Sequence, residues 1–223
     1  MKQQRFAVVA GTLVLIAAAA VSQFSGRAVP VARTLAATAA APAGTARFVI
    51  DPQASEASYR VGETFFENNR FHLAVGVTHG IQGDIYVDRV HPDQSRLGAI
   101  TVNINQLTSD SARRDAAIRR HWLESDTYPA ATFTPTSIEG LPKTSVAGQD
   151  IPVRIHGNLS VHGVTKPAVF TGTVRLAGNA LTGTVETKVQ MTDFGFDPPA
   201  IMMLKTENQA TLNFRFTAHP AGV

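Results

Sequence analysis

The 223-residue sequence contains no cysteine. This excludes disulfides, thiolate metal sites, cysteine nucleophiles and a lipid-modified cysteine at the start of a lipoprotein. A fold without such cross-links must be held by packing and ladder hydrogen bonds. A basic domain is missing too. The formal charge is +3, but Lys2, Arg5, Arg27 and Arg33 all precede Arg47 and no acid does. From Arg47 onward 16 basic residues face 17 acidic ones, a net of −1. A nucleic-acid surface needs clustered positive charge in the folded part, so no nucleic-acid partner is expected.

Signatures of catalysis are equally scarce. No GxSxG, no phosphate-binding glycine loop and no paired acids in a shared pocket pattern occur. The seven histidines show no HxxxH or HxH spacing. His156 and His162 share a strand face but lie roughly 20 Å apart at strand rise, too far to chelate one ion within that strand. His72, His79 and His91 occur singly around turns. Asp193-Phe194-Gly195 stands without the other kinase motifs and reads as a turn closing on a buried Phe. No catalytic residue, metal or cofactor is expected. If scattered residues did assemble an active site, Asp115, His121 and Asp193 would be the first candidates.

What remains is a leader, a linker and a long series of alternating strands. Met1 to Arg5 is basic and Phe6 to Val21 is an apolar run of 16 residues, the pattern of a signal peptide. A spanning helix usually needs about 20 residues. Residues 1–28 are therefore read as a cleaved signal, with an uncleaved N-terminal anchor as the alternative. Either way an exported protein is expected, periplasmic or secreted, and tethered to the membrane if the leader stays. Residues 29–46 are rich in Ala, Pro and Thr and read as a linker.

From Arg47 apolar and polar residues alternate, as in half-buried strands. Tyr59 and Val61 share one face, as do Phe71, Leu73, Val75 and Val77. So do Ile81, Gly83, Ile85 and Val87. Ile100, Val102 and Ile104 follow. Ile155, Leu159 and Val161, then Phe170 and Val174, then Leu181, Val185 and Val189, repeat the pattern. Gly178-Asn179 is a hairpin signal. Glu63 to Asn69 reads as a loop or bent strand, and Thr192 to Gln209 as a long irregular passage. Within it Ile201-Met202-Met203-Leu204 is a final barrel strand, a lid, or a mobile apolar gate. Leu212, Phe214 and Phe216 complete the series. That makes about eight strands joined mostly by short turns. A meander of this size tends to close, because closure removes exposed edges. Eight strands enclose a packed core or one small ligand. Gly76, Gly83, Gly157, Gly172 and Gly183 on the inward sets would leave room; bends in the sheet explain glycines equally well. The expected fold is all-β: an eight-stranded antiparallel lipocalin-like barrel over residues 47–219, with one inserted helix at about 110–125.

That helix is the one strongly helical passage. Ser109 or Asp110 can cap it, and Tyr128-Pro129 stops it. At roughly 100° per residue, Ala112, Ala116, Ile118, Trp122 and Leu123 fall on an apolar face. Arg113, Arg114, Arg120, His121 and Glu124 fall on the polar one. Asp115 and Arg119, four apart, land in the apolar face and can pair there. The pair either pins the helix to the sheet or leaves Arg119, or a neighbouring arginine, to meet the polar end of a ligand.

The segments SDSARRDAAIRRHWLESDTYPAATF, VRIHGNLSVHGVTKPAVF and VQMTDFGF, with the opening FVIDPQASEASYRV, resemble the YceI-like family across about Arg47 to Phe216. The resemblance implies an exported, lipocalin-like barrel with a helix beside it and an elongated apolar cavity. It also implies binding of polyisoprenoid lipids such as polyprenyl quinone precursors or polyprenyl phosphates, for storage or transport, rather than catalysis. The family's usual His-Leu after Arg-Asp is replaced here by Ala116-Ala117-Ile118, so no head-group role passes to that position. The expected partner is an isoprenoid or other amphiphilic lipid. Its wall residues would be Tyr59, Val75, Ile85, Val102, Ile155, Leu159, Phe170, Val185 and Phe214. Asp115, Arg119 and Trp122 would meet the head group or dock the helix.

Overall fold

Alternation decides the architecture, because a strand with one apolar face must lay that face against another. The computed structural model describes residues 44–201 and 203–222. The expected leader, and the linker up to residue 43, lie outside the described residues. The strands are β1 (Thr45–Ile50), β2 (Glu56–Phe65), β3 (Arg70–Thr78), β4 (Ile81–Gln82), β5 (Asp84–Asp88), β6 (Arg96–Leu97) and β7 (Ile100–Asn103). After the helix come β8 (Ala130–Glu139), β9 (Ile151–Val161), β10 (Val164–Ala177), β11 (Ala180–Gln190), β12 (Ala200–Ile201) and β13 (Leu204–Pro220). They form one curled antiparallel sheet. Its order runs β3-β2-β13-β11-β10-β9-β8-β7-β4, with β1, β5 and β6 continuing from the far end of β13.

The sheet has thirteen strands where the alternation implied about eight, and the extra ones have identifiable causes. The run Ile81 to Val87 breaks at Gly83, where the chain changes partner. Ile81 and Gln82 pair with β7, whereas Asp84 to Asp88 pair with β1. The passage read as irregular up to Gln209 is already strand from Leu204, and Ile201 pairs with Leu204 in a tight hairpin. Thr45 and Ala46, read as linker, are the first residues of β1 and pair with Asp88 and Val87. Ala177 pairs with Ala180 across the Gly178-Asn179 turn. At His162-Gly163 both residues have positive φ, +53° and +74°, the two-residue hairpin turn that matches strand twist.

The seam of the curl lies between β3 and the chain leading from β7 to the helix. It is stitched by the isolated bridge Val77–Thr108, with both backbone hydrogen bonds formed (2.8 and 2.9 Å). The helix α1 (Ala112–Ala117) is shorter than the sequence suggested and passes into a π-helical turn at Ile118–Trp122. Ser111, not Ser109 or Asp110, is its cap: its side chain accepts the Arg114 N–H. Ser109 is turned to another task, described below.

Two large apolar clusters fill the curl, and a small third one joins Val61, Met191 and Ala210. Phe48, Ile50, Ile81, Ile85, Ile100 and Phe216 pack where β1 and β5 cover the far end. Phe133, Val153, Ile155, Leu159, Phe170, Val185 and Phe194 pack across β8 to β11. The inward glycines do not leave empty space. A Cβ on Gly76 would stand 2.2 Å from the Tyr59 ring, and one on Gly183 2.6 Å from the Phe216 ring. Gly76, Gly157 and Gly183 are each the floor under an aromatic ring, whereas a Cβ on Gly83 would meet Ile100 and one on Gly172 the Thr184 backbone.

Phe48 has no exposed surface. Replacing it with Ala removes a ring from a close-packed cluster and should cost about 3–5 kcal/mol. Urea unfolding of the two proteins measures this; a loss below about 1 kcal/mol would mean that the β1 end is not part of the cooperative core.

Candidate functional site

The curl encloses a cavity of about 330 Å³. Along β13 its wall includes Thr206, Ala210, Leu212, Phe214 and Phe216. At about 3.3 Å per residue this wall is roughly 30 Å long. A volume of this size spread along such a wall makes an elongated tube rather than a round chamber. Its volume lies at the low end of the roughly 300–1,000 Å³ of small-ligand sites.

Strand parity builds most of the wall. Tyr59, Ile85, Val102, Ile155, Leu159, Phe170, Val185 and Phe214 all line it. Val75 does not. It stands on the outer face with Phe71 and Leu73 and is 37% exposed. The inner positions of β3 are Ala74, Gly76 and Thr78, which are buried. Only small groups fit there, because the Tyr59 ring lies over Gly76. The apolar set of this strand therefore points outward.

One end of the tube carries the helix. Trp122, Ile118 and Leu123 contribute to the wall there. Asp115 and Arg119 are not paired with each other. Asp115 is buried, and its carboxylate accepts hydrogen bonds from Ser109 N (3.0 Å) and Ser109 Oγ (2.6 Å). Arg119 Nη1 donates to the Leu107 carbonyl at 2.8 Å. Both side chains fasten the helix to the segment that precedes it. The helix arginine that reaches the tube is Arg114, which the helical wheel had placed on the polar face. Its Nη2 lies 3.2 Å from Glu63 Oε2, and its Nη1 bonds Asp110. A six-residue helix that changes to π winding does not keep the phase that 3.6-residue periodicity assumes.

Glu63, Arg114 and Thr206 are the site residues that sequence reasoning missed. The signal for Glu63 was its parity. Tyr59, Val61 and Glu63 alternate on one face of β2, and the strand continues to Phe65 instead of breaking at residue 63. Thr206 is its cross-strand partner on β13. Burial pushes the Tyr59 hydroxyl up to about 12, and the Asp115 and Glu63 carboxylates add to the rise while Arg114 opposes it. The Arg114 guanidinium holds the Asp110 carboxyl below its ordinary value.

His121 and Asp193 are exposed and do not line the tube with Asp115 nearby. Phe194 is buried against the second cluster, and Gly195 follows at φ +83°. His156 lies beside Glu139, His162 beside Glu124, and His72 beside Asp110. Among the described residues no three His, Asp or Glu side chains converge as metal ligands.

The family model for the YceI-like domain matches residues 48–218. The chain belongs to the YceI-like family. Relatives of this YceI-like chain include a UPF0312 protein of Shewanella oneidensis. It is 32% identical over 158 residues, which is 67% of this chain and 76% of the relative. Another, from Pseudomonas putida, is 28% identical over 162 residues, 66% of this chain and 80% of the relative. Two solved structures share the fold. BcnA of Burkholderia cenocepacia matches with a TM-score of 0.60 at 16% identity, over 75% of this chain and 98% of that one. A polyisoprenoid binding domain from Saccharophagus degradans matches with a TM-score of 0.56 at 13% identity, over 78% and 98%.

The buried phenol gives a signed pH prediction. The folded state favours neutral Tyr59, so its contribution to stability is whole below about pH 10. That contribution is lost as the pH rises through about 12. Of the three tyrosines, one should ionise late in a phenolate absorbance titration. In Tyr59→Phe the late step should disappear; its persistence would assign it to Tyr86 or Tyr128.

Proposed function

We propose that this YceI-like protein binds an isoprenoid or similar amphiphilic lipid in its tube, for storage or transport in the bacterial cell envelope. The observation that carries the reading is the shape of the cavity: roughly 30 Å long at strand rise, about 330 Å³, and walled by aliphatic and aromatic side chains. Such a space suits a flexible hydrocarbon chain lying lengthwise. Burying each CH₂-sized group gains nominally about 0.8 kcal/mol, and ordering the chain offsets much of that. A structural relative being a polyisoprenoid binding domain supports the same ligand class. The basic and then apolar start of the sequence supports export and placement in the envelope.

A binding role fits the site better than turnover does. Asp115, the one acid of the three candidate catalytic residues that is buried, spends its oxygens on Ser109.

Native mass spectrometry of the protein purified without detergent, followed by organic extraction, tests the reading. A stoichiometric added mass that extracts as a prenyl lipid is expected. A clean apo mass, with no uptake of added polyprenyl lipids, would overturn it. Leu159→Arg places a charge inside the tube and should reduce uptake at least tenfold, whereas Val75→Arg, on the outer face, should leave uptake unchanged. Equal losses in both, with melting temperatures preserved, would mean that the lipid does not lie in the tube.

A further inference from the structure

The tube is apolar along most of its length; its far end carries Asp88, Arg89 and Arg96, and its other end is polar and buried where α1 meets β2 and β13. Glu63 and Thr206 are cross-strand partners there, both facing inward. They are 6% and 7% exposed. Thr206 Oγ1 is buried and has no hydrogen-bond partner among the described residues. Buried hydroxyls are nearly always bonded; this one is closed off from the cavity in its present rotamer, and a turn of the Thr206 side chain about its Cα–Cβ bond would offer it to a ligand atom. Glu63 gives Oε2 to Arg114, and its other oxygen, Oε1, is not part of that pair. Arg114 also lines the tube.

The charges at this end do not balance. Arg114 is its cation, and it already faces two carboxylates, Glu63 and Asp110. Asp115, buried one residue along the helix, is held by Ser109 alone, a neutral partner. An incoming anion would find the guanidinium already neutralised and further carboxylates close by. Like charges in a poorly solvated site repel strongly. A hydroxyl meets the opposite situation. It can donate to a carboxylate oxygen, which only accepts, and exchange a hydrogen bond with Thr206, which does both.

We propose that this end of the tube is a head-group site selective for an uncharged, hydroxyl-bearing lipid over the phosphorylated form of the same lipid. Glu63 and Thr206 are its recognition residues, and Arg114 is held by Glu63 and Asp110 so that it does not serve as an anion receptor. The proposal rests on the lipid-binding reading above and assigns the chemistry of the head.

The test uses three probes with one chain: geranylgeraniol, its monophosphate, and the parent hydrocarbon with hydrogen in place of the hydroxyl. Binding is followed by native mass spectrometry and by fluorescence of Trp122, the single tryptophan, which lines the tube. Wild-type protein should bind the alcohol at least tenfold more tightly than the phosphate, and more tightly than the hydrocarbon. Glu63→Gln keeps an acceptor and removes a charge. It should weaken the alcohol severalfold, since a charge-assisted hydrogen bond becomes a neutral one, and raise phosphate affinity at least tenfold. This change in ratio is free of the probes' differing solubility. Thr206→Val should weaken the alcohol severalfold and leave the hydrocarbon unchanged. Phosphate binding as tight as alcohol in the wild type would overturn the proposal and leave lipid binding intact. So would an unchanged ratio in Glu63→Gln. Failure of all three probes to bind would overturn lipid binding itself. The wild-type ratio needs no variant, so the test stands even if a substitution unfolds the protein.

Discussion

Two carboxylates buried at one end of an apolar tube dictate how that end is assembled. Glu63 and Asp115 are both under 10% exposed, and an ionised carboxylate in such a place must be bonded or paired. Asp115 takes the backbone and side chain of Ser109, which folds the chain before the helix back onto it. Glu63 takes Arg114, which holds the helix down on β2. Thr108, next to Ser109, makes the bridge that stitches the seam to Val77. Helix position, seam closure and the polar end of the tube therefore share one cause. Removing either carboxylate partner would leave a buried charge unmatched, a loss of the kind that typically reaches about 3–5 kcal/mol.

The remaining framework owes little to charge. With no cysteine available, the curl is held by antiparallel ladders and by aromatic rings seated on glycines. Tyr59 on Gly76 and Phe216 on Gly183 keep the rings flat against the sheet, where an ordinary side chain would lift them into the tube. The bore is thus set by the missing Cβ atoms beneath the rings rather than by small residues left uncovered.

Much of this was legible in the sequence, and the parts that were not share a reason. Period-two alternation shows which residues share a face but not which face turns inward. For β2, β9, β10 and β11 the apolar set was the inner one, so Tyr59, Leu159, Phe170 and Val185 could be placed on the wall. For β3 the inner set is Ala74, Gly76 and Thr78, because a ring from the neighbouring strand already fills the space. Only the pairing of Tyr59 with Gly76, which is tertiary information, assigns Val75 to the outside. The helix failed in a related way. Its residue types are helical, but six residues of α followed by a π turn shift the phase, turning Arg114 inward and separating Asp115 from Arg119. The motifs of the family identified the domain without revealing either inversion, since they record residue types and not directions.

The 17-residue strand β13 pairs with β11 and β12 along one side and with β2 and β1 in turn along the other. It belongs to both large apolar clusters through Phe216 and Phe214. It is also the last strand among the described residues. During synthesis every earlier strand emerges before the one that joins them, so β2–β3 and β8–β11 can form only as separate hairpins and sheets with open edges. Curling is a late event that waits for residues 204–220, and the contacts it makes span most of the domain. Contacts so distant in sequence are slow to form. Until that strand arrives, the nascent chain has strand edges to protect and no interior in which to hold a ligand.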